Sequence, residues 1–380
     1  MFIQMISAVI LSFLLSFFAI PALIKIAHEK GVFDIPAKRK LHFAPIPSFG
    51  GIVFFASVIL SICMFVPFGS DQEMQYYVAA AVLIFFIGLK DDIIAISAWK
   101  KLVGQLFAAF ILVYMGGFQI NSLYGFLGIQ QLDPIMTTLF SFLTILVIIN
   151  AFNLIDGVNG LAGGLSIIAL LFFGTLFYKN GNYGYSILAF STAASVIAFL
   201  FYNVTPAKIF MGDTGSLFIG LTNSVLIIKF INTDFSSVSD LRISENAALG
   251  FAAIFVPLVD TLRVFAIRLT NGKSPFDPDT NHIHHLLLSK GLTHNKVTLL
   301  LTSKAVISLL IAYFLQPFGI NVILLSLVSF AGLFLIYARA IHVPLIIDSI
   351  SKKDKVGSVK TSQQSNKEEP SLGGTVIFKN

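Results

Sequence analysis

Charge is what this chain has least of. Asp, Glu, Lys and Arg together make up 12% of its 380 residues, whereas a soluble domain carries about a quarter. That shortage excludes an ordinary water-facing enzyme. Cysteine is nearly missing as well: Cys63 stands alone in an apolar run, so neither a disulfide framework nor a thiolate metal site is available. Acidic residues are outnumbered by basic ones, giving a formal net charge of +6. The excess does not mark a nucleic-acid binder, because a bilayer protein draws it from its cytoplasmic loops. No internal repeat is visible, so the inverted-repeat signature of many secondary transporters is missing too. The first apolar run, about residues 3–24, has neither a cationic stretch before it nor a small-residue cleavage site after it. It reads as a retained span and not as a signal peptide.

What the chain does have is apolar residues, 56% of the total, with 39 phenylalanines and a mean hydropathy of +0.87. The fold class is an all-α polytopic membrane protein. A span needs about 20 mainly apolar residues. Candidate spans fall near 3–24, 49–68, 77–95, 102–118, 136–152, 160–178, 184–202, 214–231, 246–268, 297–316 and 321–340, giving 10–11 transmembrane helices. With the N-terminus outside, the inner loops receive Lys38, Arg39, Lys40, Lys90, Lys100, Lys101, Arg268 and Lys273, and the outer loops hold only Lys179 and Arg242. The positive-inside rule therefore sets the N-terminus outside and the C-terminus in the cytoplasm. Residues 1–345 form the transmembrane domain, and the polar tail 346–380 is expected to be disordered.

Five polar clusters interrupt the apolar runs: GLKDD (88–92), NLIDGVNGLAGG (153–164), FMGDTGS (210–216), DTLR (260–263) and SPFDPDTNHIHH (274–285). Eleven crossings place all five at the cytoplasmic face. Charge near hydrocarbon is costly unless pairing or function compensates for it, so one cytosol-facing polar site is the simplest inference.

Asp91 and Asp92 point about 100° apart on a helix. One can face the site while its neighbour caps a helix or binds a base, although solvated acids at a helix end are the bland alternative. Asn153, Asp156 and Asn159 recur every three residues and would form one stripe on a helix, whereas a small-residue packing seam would explain only the glycines around them. Gly212 and Gly215 would let backbone N–H groups approach an anion, and Asp213 is either the cap of that helix or a metal ligand. Hard oxygen ligands of this kind suit Mg²⁺, which takes one or two carboxylates plus phosphate oxygens. His282, His284 and His285 suit zinc or an anion; zinc would want further His, Cys or acidic ligands at suitable spacing, and cysteine is lacking, so anion binding fits at least as well. Asp260 and Arg263, one turn apart, read as a structural ion pair. Lys38, Arg39 and Lys40 either enforce topology or hold a lipid phosphate at the membrane surface.

Taken together, the paired aspartates, NxxDGxNGLAGG, FMGDTGS and the terminal HIHH resemble the polyprenyl-phosphate N-acetylhexosamine-1-phosphate transferase family, of the glycosyltransferase-4 type, over about residues 1–340. The loop RKLHFAPIPSFGG is similar to the WecA/TagO-like branch and lacks the PTMGG-like loop of the related MraY branch. The resemblance implies transfer of a HexNAc-1-phosphate, GlcNAc by first choice, from a UDP-sugar to undecaprenyl phosphate with release of UMP. It implies Mg²⁺ (or Mn²⁺) as cofactor, the bacterial inner membrane as location, a cytoplasmic active site, and a homodimer as one option. It assigns Asn153 and Asp213 to the metal, and Phe210, Asn159 and Lys101 to the nucleotide and its pyrophosphate. Asp91 would deprotonate or position the lipid phosphate with support from Asp92 and Asp156, and His282, His284 and His285 would meet the sugar phosphate. Position 159 is Asn where many bacterial members have Asp, which favours hydrogen bonding there over carboxylate chemistry. Direct attack by the lipid phosphate is favoured over a covalent intermediate. The rival readings are a phospho-MurNAc-pentapeptide transferase and, from another class, a proton-coupled secondary transporter.

Overall fold

The computed structural model describes residues 1–31, 46–69, 71–236, 243–272 and 281–341. The described residues fold into helices, with no strand beyond one isolated bridge between Ser122 and Gln131. In chain order the helices are α1 (Phe2–Lys30), α2 (Gly50–Phe65), α3 (Glu73–Ile93), α4 (Ala98–Phe110, prolonged by a π turn to Met115), α5 (Pro134–Ile155), α6 (Leu161–Lys179) and α7 (Tyr183–Asn203). They are followed by α8 (Gly212–Ile231), α9 (Asn246–Ala253), α10 (Phe255–Thr270), α11 (Ile283–Ser289), α12 (His294–Phe314) and α13 (Ile320–Ala340). Every span expected from hydropathy coincides with one of these helices, taking α9 and α10 as a single span. Eight helices are long and apolar enough to cross a membrane, or nine with the α9–α10 pair counted as one. Helices satisfy their own backbone hydrogen bonds, which is what hydrocarbon demands of a spanning segment. The tail expected from residue 346 and the basic Lys38, Arg39 and Lys40 lie outside the described residues.

Helix α8 is the axis of the bundle. Of its most apolar stretch 94% is buried inside the protein, against 22% for α1 and for α13 at the periphery. It packs on α3, α5, α2, α6 and α9. Glycine makes this closeness feasible: a Cβ on Gly51 or on Gly88 would collide with the α8 backbone around Thr214 and Gly215. Away from α8, a triangle of hydroxyls joins α1, α2 and α7: Ser16 and Ser195 are 2.6 Å apart, and Ser57 lies 2.9 Å from each. Such bonds hold helices together where the surroundings offer no water.

Helix ends follow local rules. Asp133 accepts from the N–H groups of Ile135 (3.0 Å) and Met136 (3.1 Å), with Pro134 in the first turn, so α5 starts where sequence demands. Between α9 and α10 the chain bends by 79°. Pro257 explains the break, since it has no N–H to offer the preceding turn.

Candidate active site

The ends of α3, α5 and α8 meet, and they bring Asp91, Asp92, Asn153 and Asp213 together. Lys101, on the first turn of α4, stands among them. Its Nζ donates to Asp91 Oδ2 (3.1 Å), to Asn153 Oδ1 (3.3 Å) and to Asp213 Oδ2. Asn153 turns its amide NH₂ the other way, to Asp213 Oδ1 and Ser216 Oγ, each at 2.9 Å. Three oxygens from three helices thus converge on one cationic atom.

The two adjacent aspartates divide their work, as their 100° separation suggests. Asp91 accepts from the Ile96 N–H at 2.7 Å and so also fixes the α3–α4 turn. Asp92 reaches across to α8, accepting from the N–H of Asp213 (2.6 Å), the N–H of Thr214 (2.9 Å) and the Thr214 hydroxyl (2.5 Å). The expectation that the α8 N-terminus presents free N–H groups to an anion is therefore corrected, because Asp92 already occupies those of Asp213 and Thr214. Asp213 is not the cap of its own helix either. The cap comes from α3, and Asp213 is left to face inward.

The strand-like segment before α2 forms a second wall. Phe210 N–H donates to Pro47 O (2.8 Å), and Gly50 and Gly51 donate to the carbonyls of Phe210 (3.0 Å) and Met211 (2.9 Å). Gly212 has φ +72 and its Cβ would strike the Ser48 carbonyl and the Asp92 carboxylate, so only glycine fits there.

These walls enclose a cavity of about 530 Å³ lined by Asp91, Asp92, Asn153, Asp156, Asn159, Phe210, Asp213, Ser48, Asn203 and His294, among others. Its lining is rich in acids and amides, with Phe210 the aromatic face. Asn153, Asp156 and Asn159 all reach it even though α5 ends at Ile155 and the chain turns through Gly157–Gly160. Asp156 lies one residue beyond α5, where burial and then the negative charges of Asp213 and Asp92 push its carboxyl well above the ordinary range. Asn159 is held from three sides. Its N–H donates to His294 Nδ1 (3.3 Å), its side chain donates to Thr205 (3.1 Å), and its carbonyl accepts from Thr298 (2.8 Å).

The histidines of the HIHH run do not line this cavity. They stand in a row behind its wall, with ring centroids 5.6 Å apart for His282 and His284 and 4.3 Å for His284 and His285. Asp260 organises the row: it accepts from the Ile283 N–H (3.0 Å), pairs with His282 Nδ1 (2.9 Å) and holds Arg263 (2.9 Å), the ion pair expected from sequence. His284 is 1% exposed and presses on Gly157, where an added Cβ would fall 2.5 Å from Nε2. Neither of its ring nitrogens has a hydrogen-bond partner among the described residues. Burial, followed by the neighbouring His285, lowers its pKa to about 3, so it is neutral in physiological conditions.

Two cavity residues escaped the sequence reading. Asn203, at the end of α7, accepts from the Gly160 N–H (2.7 Å) and donates to the Ile209 carbonyl (2.9 Å), so it joins the two loops of the site. His294 opens α12, and a Thr-His-Asn before an apolar run signals only a helix start.

The donor set suits a hard divalent cation. Among the described residues no three His, Cys, Asp or Glu side chains cluster as a protein-only metal cage. Two carboxylates and one amide oxygen do converge, which is the partial shell Mg²⁺ completes with phosphate oxygens and water.

The glycosyl transferase family 4 model matches residues 74–231, from the start of α3 to the end of α8. A probable undecaprenyl-phosphate N-acetylglucosaminyl 1-phosphate transferase of Bacillus subtilis (strain 168) is 32% identical over 352 residues, covering 91% of this chain and 92% of its own length. The undecaprenyl-phosphate α-N-acetylglucosaminyl 1-phosphate transferases of Yersinia pestis and Escherichia coli (strain K12) are each 31% identical, covering 74% of this chain and 76% of their own. With near full-length similarity and three of the family's motifs assembled around one cavity, the chain belongs to glycosyl transferase family 4.

Proposed function

We propose that this protein transfers GlcNAc-1-phosphate from UDP-GlcNAc to undecaprenyl phosphate, releasing UMP, at the cytoplasmic face of a bacterial inner membrane. The observation that carries the reading is the convergence of Asp91, Asn153 and Asp213 on one cation position at the edge of a polar cavity. The names of the relatives supply the acceptor and the sugar. The orientation is supported by the Lys and Arg distribution, which favours the cytosol for this end of the bundle.

One phosphoanhydride is exchanged for another, so the reaction needs little driving force. The difficulty is bringing two anions together, and phosphoryl transfer is mostly positioning and charge neutralisation. Mg²⁺ bound by Asp91, Asn153 and Asp213 would supply that neutralisation. Phe210 offers its ring to the uracil. Asn159, fixed by Thr205, Thr298 and His294, shapes the wall beside it. Asp92 sets the position of Asp213 through the first turn of α8. The HIHH row supports the 156–160 loop from behind, so its contribution is made through Gly157.

Purified protein with Mg²⁺, undecaprenyl phosphate and radiolabelled UDP-GlcNAc is expected to form a labelled lipid and release UMP, and to stop on chelation. Absence of lipid-linked product from every UDP-HexNAc tried would overturn the proposal. A proton-coupled transporter would instead need acids near mid-membrane, whereas Asp91, Asp92, Asp156 and Asp213 gather at one end of the bundle.

A further inference from the structure

Lys101 is better placed as a stand-in for the metal than as a ligand of the nucleotide. Its Nζ sits where the three oxygens of Asp91, Asn153 and Asp213 meet, with the Asn153 amide oriented so that its oxygen, not its NH₂, faces the ammonium. It does not line the large cavity. With Asn153 it separates that cavity from a smaller cleft of about 120 Å³ behind it, of mixed lining, where Gln105, Asn150 and Arg268 stand among Leu102, Leu154 and Phe265. The lysine therefore has a site to fill and room into which it can withdraw.

We propose that Lys101 is an exchangeable resident cation: it neutralises the carboxylate centre when no metal is bound, and a divalent cation enters only by displacing it towards the side cleft. Uncompensated carboxylates in a part-buried site are costly, so some cation must be there in every state. A flexible ammonium does this without demanding fixed geometry. The inference rests on the divalent-metal reading above.

The test measures Mn²⁺ binding by electron paramagnetic resonance on detergent-purified, chelator-stripped protein without nucleotide. Wild type is compared with Lys101→Met, Lys101→Gln and, as a charge control, the exposed neighbour Lys100→Met. Losing the competitor is expected to tighten Mn²⁺ binding roughly tenfold or more in both Lys101 variants, within the usual range of coupling between ligands, and to change it little in Lys100→Met. Equal or weaker binding by the Lys101 variants overturns the exchange and leaves the metal reading standing. No Mn²⁺ binding by any protein, even with UDP-GlcNAc present, overturns the metal reading itself. A second measurement needs no variant. Acetylation of Lys101 in wild-type protein, followed by mass spectrometry, is expected to speed up several-fold when Mn²⁺ is added, and unchanged labelling overturns the exchange.

Discussion

Helices α3 and α8 are tied by charge at both ends, and the two ties differ in kind. At one end Glu73 of α3 bonds Lys229 of α8, whose ammonium also lies 4.8 Å from the centre of the Tyr185 ring. Asp71 sits close by against Gly184, its carboxyl raised above the ordinary range by burial and by the Glu73 charge. At the other end Asp91 and Asp213 share Lys101, with Asp92 and Asp156 close by, beside an open cavity. The first end pairs its one lysine with Glu73 and is filled by an aromatic ring. The second carries an excess of acid that the protein itself does not cancel. A balanced pair fastens helices together, whereas an unbalanced group around a cavity is a site made for something cationic.

Four substitutions test that contrast, in falling order of effect. Asp213→Ala removes a carboxylate from the unbalanced end and is expected to lower transfer from UDP-GlcNAc by roughly a thousandfold, the scale of losing one electrostatic partner of a reacting group. The protein should still appear in the membrane in normal amount, and activity near wild type would show that Asp213 holds no metal. Asp92→Asn can keep only part of a three-donor cap. We expect turnover to fall by roughly a hundredfold through misplacement of Asp213, together with about 1 kcal/mol of lost stability from the weakened cap. Full turnover in Asp92→Asn would mean the cap does not position the site.

Glu73→Gln cuts the opposite tie. Its cost should be about 1 kcal/mol in melting experiments, since both partners are partly solvated, with turnover unchanged. A clean loss of turnover would erase the distinction between the two ends. The smallest effect concerns His284, which is neutral when folded, with a pKa of about 3, and close to 6.5 when unfolded. Between those values the unfolded chain binds more protons, so stability rises with pH through that window. His284 therefore lends stability above about pH 6.5 that drains away as the pH falls towards 3. The melting temperature of His284→Asn should drop less than that of wild type between pH 7.5 and 6, and an equal drop would place the responsible group elsewhere.

Most of the bundle was legible because long uncharged runs allow only one solution in hydrocarbon. The meeting of the polar clusters was legible too, because alternating spans put their ends on one face. What stayed hidden was which partner each side chain would choose. Asp92 caps a helix that starts 120 residues downstream in the chain, and no local spacing announces this. The HIHH run looked like a set of ligands, and no local spacing announced that His284 would pack against Gly157 behind the cavity wall. Lys101 illustrates the same limit. The resemblance gave it a pyrophosphate partner, while the structure sets it between two carboxylates of its own chain.

The cap donated by Asp92 also bears on how the active centre comes into being. Membrane helices are inserted individually and dock afterwards. Until α3 has docked against α8, the first turn of α8 lacks its cap and nothing fixes where Asp213 points. A chain that has crossed the bilayer the right number of times is thus not yet an enzyme. The centre is completed only when two segments far apart in sequence close on each other.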